Sequence, residues 1–166
     1  MMKLVVRLFA GVVLCVAQIG LADAFSLHST DGNFTVEFPE QPKFEQKSGK
    51  TVAGTDYELS LWTVDKGASA YIVSMNVYAK PVSEDYDAPI NGVVGSCKGK
   101  LVNRLPFQMQ GMTGQEIFIE CPGPLMFRER MLWANSKFYQ ILFVGPPGSE
   151  TNADVDAFLN SVHIDE

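Results

Sequence analysis

GSCKGKLVNRLPFQMQGMTGQEIFIEC, residues 95–121, holds two of the chain's three cysteines and joins a helical pattern to a run of strands. Upstream, Ile90, Val93, Val94, Cys97 and Leu101 recur at the three- and four-residue spacing of one buried helical stripe. Asp87-Ala88-Pro89 opens it with an acidic cap and a proline in the first turn. Downstream, Ile117, Ile119 and Cys121 alternate along one face of a strand over residues 115–121. Both periodicities turn their sulfurs inward. In an oxidising compartment such a pair favours a disulfide between Cys97 and Cys121 that staples helix to sheet, with two buried free thiols as the alternative. A reactive pair would usually be spaced Cys-x-x-Cys, and zinc would need about four ligands, whereas His28 and His163 stand near opposite ends of the chain. The glycines and lysines of residues 95–101 do not make a phosphate loop, because Val94 and Leu101 stand where glycine and a hydroxyl residue are required.

The compartment is read from the N-terminus. Lys3 and Arg7 precede an apolar run from Leu8 to Leu21, and Ala22-Asp23-Ala24 supplies the small residues of a cleavage site. Residues 1–24 are therefore expected to be a secretory signal peptide cut after Ala24, leaving residues 25–166 as one exported domain, periplasmic or secreted, with no membrane span. The net charge of −6 becomes one unit more negative when Lys3, Arg7 and Asp23 leave. With no basic cluster to offset that acidity, nucleic acid is not an expected partner.

Further strands are expected over residues 25–29 and 34–38, joined across Thr30-Asp31-Gly32-Asn33, and over 57–64 and 71–78. Residues 40–49, with Pro42 and several charges directly after Pro39, read as loop. Strands at 105–110, 115–121, 127–133 and 138–144 follow, then a last helix capped near Thr151 or Asn152 that buries Val155, Phe158, Leu159 and Val162. Several strands are apolar on both faces, which demands cover on both sides. The predicted fold class is α+β, an antiparallel β-sheet of about six or more strands sandwiched by two helices.

Catalytic, cofactor and metal residues are not identifiable: no nucleophile elbow, His-Glu-x-x-His motif or ligand spacing is present. The methionines Met109, Met112, Met126 and Met131 suit core filling better than copper. Arg128-Glu129-Arg130 stands out as a charge group. A hairpin pairing Glu120 with Arg128 would make it a cross-strand ladder, or else a docking surface for carboxylates. Arg128, Arg130 and an exposed Trp62 are the residues offered for that contact.

Gly32 to Pro39 reads Gly-x-Phe-x-Val-x-Phe-Pro, and Gly114-x-Glu116, Arg130, the stretch Phe138-Tyr139-Gln140-Ile141-Leu142 and the closing Phe158-Leu159-x-Ser161-Val162 follow. Together with the hairpin at 71–78 and the central helix, these resemble the exported bacterial proteins of the PsbP-like fold, including the DcrB-type envelope proteins. The fold also occurs in the extrinsic subunit of the photosynthetic oxygen-evolving complex. The resemblance implies a sheet sandwiched by helices and a binding or assembly role rather than catalysis, and it carries no catalytic residue over to this chain. The expectation is a non-catalytic exported module that contacts an envelope protein partner. A carrier of a small apolar ligand or lipid between helix and sheet is the second reading, and a hydrolase with an unrecognised site the third.

Overall fold

The structure is a computed structural model that describes residues 24–134 and 136–165, so the expected signal segment, apart from Ala24, lies outside the described residues. Strands β1 (Phe25–Ser29) and β2 (Phe34–Phe38) form a hairpin, and β10 (His163–Ile164) joins the free side of β2. A seven-stranded sheet is built from β3 (Lys43–Lys50), β4 (Asp56–Asp65), β5 (Ala70–Tyr78), β6 (Lys100–Met109), β7 (Met112–Cys121), β8 (Leu125–Ala134) and β9 (Lys137–Gly145). Its order is β3-β4-β5-β9-β8-β7-β6, with every neighbouring pair antiparallel. Helix α1 (Asp87–Cys97) packs on one face. Helix α2 (Ala153–Ser161), the short 3-10 turn before it (Ser149–Thr151) and the small sheet pack on the other.

The predicted α+β sandwich is present, and the two faces are covered unequally. On the α2 side, Trp62, Val64, Tyr71, Val73, Ile141 and Phe143 meet Phe34 and Phe38 of the small sheet and Phe158 of α2, each at 7% exposure or less. The α1 side has a smaller core of Ile90, Ile117, Ile119, Cys121, Met131 and Phe138. Eleven helical residues span about 16 Å and cover a width of about 10 Å. Seven strands are about 29 Å across at the usual spacing. The helix lies against β7 and leaves β4, β5 and much of β9 beneath open space.

α1 is fastened at both ends. Asp85, not Asp87, caps it: its Oδ1 accepts the backbone N–H groups of Asp87 (3.0 Å) and Ala88 (3.3 Å). The Tyr86 hydroxyl donates to the Thr113 carbonyl (3.1 Å) and accepts from the backbone N–H of Trp133 (3.3 Å), tying the N-terminus to β7 and β8. The C-terminus ends on Lys98 in the left-handed region (φ 54°), so Leu101 falls in β6 rather than closing the helical stripe. There Cys97 and Cys121 are joined by a disulfide across a Cα–Cα distance of 5.7 Å, holding the helix to β7.

Two strands of the large sheet depart from expectation, and β10 lies where no strand was expected. β3 occupies most of a stretch read as loop, and β6 starts five residues before the strand expected at 105–110. Both are sheet edges, mostly exposed, with the charges and proline that discourage edge-to-edge pairing (Lys43, Glu45 and Lys47 on one, Pro106 on the other). Buried alternation cannot mark a strand that buries neither face.

The disulfide closes a loop with a sequence separation of 24. Replacing Cys97 and Cys121 by serine is expected to lower the unfolding free energy in urea by about 3–4 kcal/mol. A loss below about 1 kcal/mol would mean that the helix is held without it.

Candidate functional site

The pleat of β8 separates the Arg128-Glu129-Arg130 group. Its arginines face α2 and its glutamate faces α1. The hairpin register is Glu116 opposite Arg130 and Phe118 opposite Arg128, two residues tighter than the pairing of Glu120 with Arg128 predicted from sequence, because the turn contains only Pro122-Gly123-Pro124. Glu116 Oε1 accepts from the Nε of both Arg128 and Arg130, each at 3.0 Å. Arg128 Nη1 also donates to Asp156 Oδ1 (2.6 Å) and the Glu150 carbonyl (2.9 Å), and Arg130 Nη1 donates to the Leu159 carbonyl (2.9 Å) and Asn160 Oδ1 (2.8 Å). The guanidinium groups thus satisfy carbonyls on both sides of α2 and lock it to the sheet.

The contact surface expected at Arg128, Arg130 and Trp62 is corrected accordingly. Arg128 is 9% exposed, and Arg130 is committed to internal partners. Trp62 is 7% exposed, with its ring edge-on to Phe34 at a centroid distance of 4.9 Å. It shares the inward face of β4 with Ser60 and Val64, and the opposite face, bearing Leu59 and Leu61, is the more open one. Gly114-x-Glu116 is equally architectural: a Cβ at Gly114 would lie 2.1 Å from Phe107, whose ring stacks under Arg130.

On the α1 side, Glu129 stands in the row of Phe127 and Met131, a polar residue at an apolar position. It is fully buried. Gln140 Nε2 donates to its Oε1 (2.6 Å), while Gln140 Oε1 accepts from Ser74 Oγ (3.3 Å) and Asn76 Nδ2 (3.5 Å). Glu129 Oε2 has no partner. These groups form part of the floor of a half-open cleft of about 380 Å³ between α1 and strands β4, β5, β9 and β8. Its walls are apolar, from Leu59 and Leu61 on β4, Ile72 on β5, Leu142 on β9, Phe127 on β8 and Val93 on α1, with Tyr57 at the β4 end. Such a volume falls in the range of small-molecule sites, and a few fixed polar groups in an apolar cavity are their usual chemistry.

Burial with no cation beside it pushes the Glu129 carboxyl up to about 7, and the Gln140 hydrogen bond opposes this only in part. The histidines add nothing to the cleft. Although far apart in sequence, His28 and His163 both pair with Thr35 on the outer face of the small sheet. No group of three or more His, Cys, Asp or Glu side chains is arranged to hold a metal among the described residues.

The two charged sites give separate predictions. Glu116→Gln leaves two largely buried arginines short of their shared carboxylate and is expected to destabilise the fold by about 3 kcal/mol. A change within 0.5 kcal/mol in urea denaturation would contradict the locking role. In the unfolded chain Glu129 titrates near 4.5, so between that pH and about 7 the folded state holds the extra proton and stability falls as pH rises. The loss is on the order of 3 kcal/mol. Glu129→Gln is expected to flatten this part of the stability profile and to be more stable than the native chain at pH 8. Parallel profiles for the two proteins would rule that out.

No protein-family profile matches the chain, and no curated protein matches it in sequence. Among solved structures, a Pseudomonas aeruginosa protein of unknown function, PA94, aligns over 76% of this chain and 85% of its own at a TM-score of 0.36 and 8% identity. The solution structure of cyanobacterial PsbP (CyanoP) from Synechocystis sp. PCC 6803 is similar over 89% of this chain and 95% of its own, with a TM-score of 0.57 and 10% identity. With this likeness over most of both chains, the chain has the PsbP-like fold.

Proposed function

We propose that this chain is an exported, non-catalytic binding module of the DcrB type, acting in the bacterial envelope, and that the cleft between α1 and the sheet is its binding site for a small apolar ligand. The observation that carries the reading is the unequal cover of the sheet. Apolar side chains on β4, β5 and β9 face a cavity of about 380 Å³ instead of a packed helix. Exposed apolar surface of this kind, rimmed by polar groups, marks binding surfaces. α1, clamped by Tyr86 and the disulfide, supplies a fixed wall, so the cavity is formed before any ligand arrives. A single buried carboxyl without a nearby histidine or cysteine thiol suits recognition better than turnover.

Protein contact is the second reading. It is supported by Val52, wholly exposed at the β3–β4 turn, and by Phe44, 56% exposed on the edge strand.

Titration with a neutral solvatochromic dye tests the site. The folded chain is expected to bind it with a blue-shifted emission, and Leu61→Glu to weaken binding at least tenfold while leaving far-ultraviolet circular dichroism unchanged. Absence of dye binding by the native chain, or equal binding by the variant, would overturn the reading.

A further inference from the structure

Resting on that reading, we infer that the cleft selects an alkyl amine, with an apolar chain laid across β9, β5 and β4 and an ammonium head hydrogen-bonded to Glu129 Oε2. The polar floor leaves one unpaired position. Gln140 spends its amide on Glu129 Oε1, and its carbonyl accepts from Ser74 and Asn76, so Glu129 Oε2 is the one fully buried side-chain oxygen on that floor left without a partner. What it lacks is a cation. The pleat sends Arg128 and Arg130 through to the α2 side, where Glu116 and α2 hold them. In the Glu129 row, Ile117 separates it from Arg104, which is itself held by Asp87 (2.6 Å) and Gln115 (2.8 Å).

A ligand ammonium would supply the missing charge in a site where water screens it little. An alcohol can make the hydrogen bond without the charge, and an alkanoate would set two carboxylates against each other. From Glu129 on β8 to Leu61 on β4 is three strand spacings, about 14 Å, long enough to bury a medium alkyl chain in extended form.

The binding is pH-dependent in a stated direction. The amine stays protonated at neutral pH, as a lysine does. Glu129 has to be ionised to receive it, and burial holds that carboxyl near 7. The other titratable group lining the cleft is Tyr57 on β4; α1 contributes only Val93 and Ser96, and β5 and β9 contribute no charge. Affinity for an amine therefore rises from pH 5.5 to pH 8.

Isothermal titration of n-decylamine, n-decanol and decanoate, below their aggregation concentrations, tests this. At pH 8 the amine is expected to bind at least tenfold more tightly than the alcohol, with decanoate weakest, and the amine is expected to weaken at least tenfold at pH 5.5. Glu129→Gln should abolish the preference for the amine while the variant still binds decanol and the neutral dye. If all three bind alike, or if Glu129→Gln keeps the preference, the amine inference fails and the apolar site stands; retained preference would also expose simple attraction to an acidic surface. If no compound binds, and the dye does not bind either, the site itself fails.

Discussion

A sheet with apolar side chains on both faces has to be covered twice, and this chain builds a much larger core on one face than on the other. The small sheet and α2 pack on one face through aromatic contacts, Phe34 on Trp62 and Tyr71 on Phe158, and leave a cleft between β1 and the Trp62 end of the sheet. The other face receives a single helix of eleven residues. Burial of apolar area is the main favourable term in folding, at about 25 cal/mol per Å², so leaving part of a face open forgoes stability the fold could have had. Proteins commonly give up stability where they bind.

The arrangement of charge follows from the same sheet. On β8 the alternation of side chains puts two arginines under α2 and one glutamate under α1. The arginines are satisfied by Glu116 and by backbone carbonyls near α2, and they fasten α2 to the sheet. The glutamate is left with an amide for company and an unpaired oxygen. A tripeptide that looks like one charged patch is two structures on opposite sides of a β-sheet: a lock and a candidate recognition group.

Much of this was legible in the sequence, and the gaps have physical causes. The alternation at Tyr71, Val73 and Met75 and the helical spacing of Ile90, Val93 and Cys97 report burial on one side, which is what periodicity measures. The paired cysteines were readable because two independent periods aimed both sulfurs inward. β3 and β6 escaped because edge strands bury neither face. The β7–β8 register slipped by two because a Pro-Gly-Pro turn is tighter than its length suggests, and a slip of two preserves the faces. Trp62 and the pair Leu59 and Leu61 lie on opposite, equally apolar faces of β4, so alternation alone does not say which face is the buried one, and it is Trp62 that packs inward. Glu129 had a readable signal: it interrupts the apolar series Phe127, Met131 and Trp133. Grouping it with its chain neighbours hid that parity.

The direct test of unequal cover is the exposure of methyl groups in solution. With a soluble paramagnetic agent added to methyl-labelled protein, the account predicts strong relaxation enhancement at Leu59, Leu61, Ile72 and Leu142 and little at Val73, Leu132 and Ile141. Equal protection of the two sets would show the second face to be sealed and would contradict the account.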